Sequence, residues 1–256
     1  MQQYDAIILA GGSAPWLKEA CGTEFRCLAP INGRRMVDYI LDAMLASGCV
    51  RRIVIAVKEQ ALSQLEGTLP KGVKLCLAEG DMPTTAYAAT MALGEDSTQQ
   101  HLYICDDIPL LTPAGIQDFL AQCQKFPEHQ AFYPIIPKEA CLKLFPEAQR
   151  TYGKLPEGQF TGGNMMLLDK WVTINKQALG REIFALRKSP LRLANWLGWS
   201  FIIQALLQRL TIARAEKRVS ELLGAPSKAI ITLHAGIGMD VDKPSDLKLV
   251  EQYLSK

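Results

Sequence analysis

The chain has 256 residues, 48% hydrophobic and 21% charged, with 28 basic and 26 acidic side chains and a formal net charge of +2. That length suits one large α/β domain or two small ones, and the near balance of charge gives no general attraction to nucleic acid or an anionic membrane surface, so a bound anion must be held by local arrangement. Seven cysteines without a CxxC pair argue against a disulfide framework or a zinc knuckle; with no basic-then-apolar leader pattern at the N-terminus, the expectation is buried thiols in a reducing cytoplasm.

Tyr4 to Ala10 reads as a strand apolar on both faces, as a central parallel strand should. It empties into Gly11-Gly12. Glycines after a strand let the backbone approach a ligand and turn N–H groups toward phosphate, although such a pair also serves a plain tight turn. The stretch is neither GxxxxGK[ST] nor GxGxxG, so a triphosphate here needs a cation from elsewhere. Arg26 is the nearest candidate and Lys18 its competitor.

Met36 to Ala46 is a helix closed at Gly48. Arg52 to Val57, Val73 to Ala78 and His101 to Cys105 are further strands. Glu59 to Leu65 and the alanine-rich Thr85 to Leu93 are the helices between them. Thr112 and Pro113 mark the N-cap and first residue of a helix to about Gln124. This alternation predicts an α/β fold with a doubly wound, mainly parallel sheet, whose ligands lie beyond the carboxyl ends of the strands. The paired glycines and the aspartates of CDDIPLLTP, Cys105 to Pro113, both fall there. One carboxylate aimed into a cleft suits Mg²⁺ on a triphosphate; the plainer alternative is that Asp106 or Asp107 caps backbone N–H groups.

The second half is less regular and richer in helix. Ala131 to Ile136, Asn164 to Leu168 and Ala229 to Leu233 read as strands, Gln177 to Gly224 as mostly helical, and Pro244 to Leu254 as a closing helix. A polar insertion lies between the first two strands. Arg192 to Ile212 is the most apolar stretch, but polar residues break it and no membrane span is expected. It suits packing on the core or on a second subunit of a homodimer, or a lid over an apolar acceptor. In GMDVDKPSDL, Asp240 and Asp242 alternate and so point the same way in an extended segment; Asp242 is also placed to cap the last helix. His101, His129 and His234 form no ligand spacing.

Taken in order, ILAGG, FRCLAPINGRRMVDYIL, Asp107-Ile108-Pro109, Thr161 to Asn164 (TGGN) and DVDKPSDL resemble the sugar-phosphate and molybdenum-cofactor type nucleotidyltransferases, the NTP-transferase group with a GT-A-like, Rossmann-like fold. The resemblance covers nearly the whole chain and is nearest to a bacterial branch with an RTY…FTGGN insertion. It implies one domain over 1–256, with a nucleotide-binding half at 1–125, an acceptor-binding half at 126–256 and a helical insertion at about 177–224. It also implies transfer of a nucleoside monophosphate from an NTP to a phosphorylated or hydroxyl small-molecule acceptor, with Mg²⁺ as cofactor and pyrophosphate released. Leu9, Ala10, Gly11 and Gly12 would wrap the nucleotide, with Thr84 and Thr85 at its base or ribose. Arg26 stands at the usual lysine. Asp107 matches the metal aspartate of D-x-P, with Asp240 and Asp242 completing the metal side, and Lys154, Gly163 and Asn164 fall toward the acceptor. The usual GG-then-G-x-R-M and P-K signature is altered: SAPWLKEACGTEF holds no G-x-R, and arginine offers a planar fork where lysine offers a point charge. Two rivals share the fold, a nucleotide-binding protein without transfer activity and a GT-A glycosyltransferase using DVD at 240–242.

Overall fold

All seven residues of β1 (Tyr4–Ala10) are buried, which is why this strand occupies the middle of the sheet. In the computed structural model, residues 2–186 and 198–255 are described. After β1 come α1 (Pro15–Cys21), the short hairpin β2 (Pro30–Ile31) and β3 (Arg34–Arg35), α2 (Met36–Ala46), β4 (Val50–Val57), α3 (Glu59–Leu65), β5 (Val73–Leu77), α4 (Met82–Leu93), β6 (Gln100–Cys105) and α5 (Pro113–Cys123). The second half adds β7 (Ala131–Pro137), α6 (Lys138–Leu144), β8 (Gly153–Leu155), β9 (Gly158–Gly162), β10 (Met165–Asp169), α7 (Lys170–Asn175) and α8 (Gln177–Leu186). It closes with α9 (Trp199–Leu206), α10 (Ile212–Leu223), β11 (Ser227–Ile231) and α11 (Pro244–Leu254).

Nine strands form one sheet in the order β5-β4-β1-β6-β10-β7-β9-β8, with β11 paired to the other edge of β7. The first four strands are parallel. β10 runs antiparallel between β6 and β7, so the sheet is mainly parallel in its first half and mixed in its second. The pleat divides β1 between two cores. Ala6, Ile8 and Ala10 face the larger one with α2, α5 and α11; Ile7 and Leu9 face a smaller one against α4. Each isoleucine or leucine among them taken from water contributes about 1.5–3 kcal/mol, and the alternation fixes the register, because a one-residue slip would exchange the faces.

The helix predicted after Thr112 is present, and the Thr112 hydroxyl accepts from Gly115 N at 3.1 Å. The closing helix starts and ends at the predicted residues. Three regions go beyond the expectation. α1 is only seven residues long, begun by Pro15 and ended by Gly22 at φ 83°, too short to show a period. β2 and β3 meet at Asn32-Gly33 with φ of 48° and 80°, a two-residue turn that such a pair favours. The polar insertion holds α6 and the β8–β9 hairpin, whose edge strands bury little and so lack apolar alternation. Part of the apolar stretch from Arg192, residues 192–197, lies outside the described residues. Among the described residues no helix is long and apolar enough to cross a membrane.

Candidate active site

β1 and β6 are neighbours, and the strand order turns back between them, β4 and β5 lying on one side and β6 on the other. The carboxyl ends of such a pair frame a crevice. Gly11 and Gly12 leave β1 there. A Cβ on Gly11 would lie 2.9 Å from Ala78 Cβ, which excludes a larger residue there, and one on Gly12 would lie 3.3 Å from the movable Arg26 Nη1. The loop that follows returns on itself: Ser13 bridges Phe25, and Ala14 N donates to Glu24 O at 2.8 Å. This closed excursion carries Arg26 back beside Gly12. Lys18, the competing cation, is exposed on α1.

Four carboxylates gather around this position, two of them paired with the guanidinium. Asp106 and Asp107 follow β6, and the segment before α11 docks onto them through Val241 N, which donates to Asp107 O at 2.9 Å. Oxygens of Asp107, Asp240 and Asp242 lie within 4.8 Å of one another. Arg26 Nη2 lies 2.8 Å from Asp242 Oδ1, and its Nη1 lies 3.7 Å from Asp107 Oδ2. Arg150 pairs with Asp240 on the other flank. Thus Asp242 faces Arg26, and the cap at the start of α11 is made by Asp246, which accepts from Lys243 N at 3.1 Å.

The two cations do not compensate the cluster. Burial first, and the neighbouring Asp240 and Asp242 next in the same sense, push Asp107 up to about 7 against the opposing pull of Arg26. Burial and Asp107 hold Asp106 well above the carboxylate range, although it accepts from Cys27 N. Burial and the adjoining Asp240 carboxyl raise Asp242. Crowded hard oxygen donors with raised proton affinity suit a divalent cation of the magnesium, calcium or manganese class.

Beside the glycines lies a cleft of about 390 Å³ walled by Leu9, Gly11, Gly12, Arg26, Asp81 and Thr85. Ala10 is wholly buried beneath it. Thr84 is engaged elsewhere: its N–H at 3.0 Å and hydroxyl at 2.6 Å donate to Asp81, the N-cap of α4. Gly163 and Asn164 wall an adjoining cavity of about 170 Å³ that shares Leu9 and Met82 with the cleft. Gly163 is fixed by packing, since a Cβ would lie 2.7 Å from Pro134 Cγ and 2.8 Å from Ile237 Cγ2. Lys154 is exposed on the edge strand β8. Arg150, four residues earlier, is the cation from this segment that reaches the acids. Arg150, Asp106 and Asp81 were not among the residues expected from sequence as site members. The signals were slight: Arg150 opens the RTY segment, Asp106 doubles the D-x-P aspartate, and Asp81 precedes M-P at a helix start.

A family profile described as the MobA-like NTP transferase domain matches residues 6–222. Among curated proteins, the bifunctional protein GlmU of an Exiguobacterium species is 30% identical over 156 residues, covering 60% of this chain and 31% of that protein. GlmU of Pelobacter propionicus is 31% identical over 125 residues, covering 47% of this chain and 26% of that protein. The chain therefore spans about a third or less of the length of these relatives. Among solved structures, a hypothetical transferase from Thermus thermophilus is 35% identical, with TM-score 0.84 over 96% of this chain and all of that one. At 11% identity and TM-score 0.63, the 4-diphosphocytidyl-2C-methyl-D-erythritol synthase of Anaerococcus prevotii shares the fold over 100% of this chain and 99% of its own.

Proposed function

The chain belongs to the MobA-like NTP transferase family and is a nucleotidyltransferase, and on that premise we propose that it joins a nucleoside monophosphate to a phosphorylated small-molecule acceptor and releases pyrophosphate. The observation that carries this reading is the meeting, at the ends of β1 and β6, of Gly12, Arg26 and the carboxylates of Asp107, Asp240 and Asp242. Asp107, Asp240 and Asp242 fit Mg²⁺, whose bound charge would offset that of the triphosphate.

The chain's own groups do the rest. Gly11 and Gly12 lower the cleft floor so that backbone can approach phosphate. Arg26 presents a planar fork to the triphosphate and, in exchanging Asp242 for phosphate oxygens, releases that carboxylate. Leu9 and Thr85 bound the remainder of the nucleotide in the same cleft. Gly163 and Asn164 face the acceptor side. There an acceptor phosphate oxygen forms a bond to the α-phosphorus as the bond to the β-phosphate bridging oxygen breaks. Pyrophosphate leaves with that electron pair. An ionised phosphate needs no strong base, so positioning and electrostatics supply most of the acceleration.

The reading is tested by incubating the protein with Mg²⁺, each of four NTPs and a panel of phosphorylated acceptors while following pyrophosphate. Release with one NTP that disappears in Asp107→Ala supports it. NTP binding with no release across the panel overturns it.

A further inference from the structure

We propose that the acceptor is amphiphilic, a phosphate monoester of an apolar alcohol whose tail lies in a trough between the sheet and α10. This deepens the reading above by naming the substrate class of its acceptor side.

The trough has a volume of about 350 Å³, within the range of small-molecule sites. Its floor is the face of β7, β10 and β11 that carries Tyr133, Met166 and Leu168, and its outer wall is the apolar side of α10 at Ala215, Val219 and Leu223. The polar groups at its rim are already satisfied by one another. Lys228 Nζ lies 3.0 Å from Glu216 Oε2, and Glu216 Oε1 accepts from Ala229 N at 3.0 Å. A ligand there meets hydrocarbon, and the favourable term is burial of its own apolar surface.

Continuity with the reaction site identifies the occupant. The trough shares Tyr133 and Met166 with the cavity of Gly163 and Asn164, and that cavity shares Leu9 and Met82 with the nucleotide cleft. Each of the three spaces thus borders the next, from the paired glycines to α10. Tyr133 stands at the junction with its hydroxyl against Gly162. Arg150 pairs with Asp240, and its charge acts on the Tyr133 hydroxyl at the junction, which makes it the cation for an anionic head group there. A phosphate at that end and a chain past Tyr133 satisfy both chemistries. The reaction balances as NTP plus alkyl phosphate giving an NMP–alkyl pyrophosphate ester and free pyrophosphate.

The test compares butyl phosphate with dodecyl phosphate, each below its micelle concentration, by calorimetric titration of the full chain in Mg²⁺. Dodecyl phosphate is expected to bind at least tenfold more tightly. Val219→Asp, on a residue 41% exposed, should erase that chain-length advantage while butyl phosphate and NTP affinities stay unchanged, and Val219→Trp should reduce it by filling space. Arg150→Gln should weaken both alkyl phosphates alike. Equal affinity for the two chains overturns the proposal, as does an advantage that survives both Val219 variants. A dimer that Val219→Asp dissociates, without any chain-length effect, would give the trough to a second copy and also overturn it. Pyrophosphate release that depends on Asp107 but is indifferent to acceptor chain length sinks the tail site and leaves nucleotidyl transfer standing. A chain-length effect with no NTP binding supports the tail site and removes the transfer reading.

Discussion

Each end of β1 has buried acid beside arginine, a single carboxylate at the amino end and a cluster at the carboxyl end, and the two are built in opposite ways. At the amino end Asp5 is fully buried and takes hydrogen bonds from Arg51 Nε at 2.9 Å, Arg52 Nη2 at 2.7 Å and Thr98 N at 2.9 Å. Burial alone would raise its proton affinity, but those donors outweigh it and hold the carboxyl well below the usual range. At the carboxyl end Asp106 is buried and Asp107 half-buried, yet they share Arg26 with Asp242 and sit above the usual range. The two ends differ in the ratio of partners to charges, several donors around one carboxylate at the first and one arginine among several carboxylates at the second. A satisfied cluster holds the sheet together. An under-compensated one stores repulsion that a bound cation would relieve, and raised carboxyls of this kind concentrate at functional sites.

The largest expected effect breaks the structural end. Asp5→Asn leaves two arginines facing a neutral group and should cost about 3–5 kcal/mol of stability, read from urea unfolding. At the functional end, Asp107→Asn should cut kcat/KM for pyrophosphate release by roughly 10²–10³-fold, while its unfolding midpoint in chelating buffer does not fall. A midpoint drop there as large as that of Asp5→Asn would erase the contrast between the two ends.

Next comes the dependence on pH. A carboxyl raised to about 7 in the folded state binds its proton more readily there than in the unfolded chain, so its charge destabilises above that pH and the penalty fades as pH falls. Asp5, lowered in the fold, contributes stability that is kept above the ordinary carboxylate range and lost below it. His101, lowered to about 4 by burial from 6.5, lowers stability as pH falls below 6.5 because the unfolded chain takes the proton first. In chelating buffer the melting temperature should therefore rise between pH 8 and 6.5, less so in Asp107→Asn, and Mg²⁺ at pH 8 should recover the difference. A wild-type slope of the opposite sign counts against the under-compensated cluster.

The smallest effect concerns the glycines. Gly11→Ala forces a contact at 2.9 Å with Ala78 and should cost about 1–3 kcal/mol by overpacking. Gly12→Ala meets only the movable guanidinium of Arg26, so it should cost less stability but weaken NTP binding. Calorimetry of both variants separates the two roles.

Much of this was legible in the chain itself. The run Tyr4 to Ala10, apolar on both faces apart from Asp5, and its alternation with helices pointed to a mainly parallel sheet, because a strand buried on both sides is hydrophobic along nearly all its length. Gly11-Gly12, Arg26, Asp107 and Asp242 stood out because local chemistry restricts residue type at such turns. Other facts had no local signature. Arg150 meets Asp240, 90 positions further along the chain, Thr84 is taken up by Asp81, and β8 is an edge strand that buries too little to declare itself. Local pattern was enough for the long strands and helices and for the acids and bases they carry, but not for α1, α6 or the short hairpins. Which of those charges face each other, how many partners each receives and which cavities adjoin the cleft came from the folded chain as a whole, because burial and long-range pairing are not properties of any one stretch.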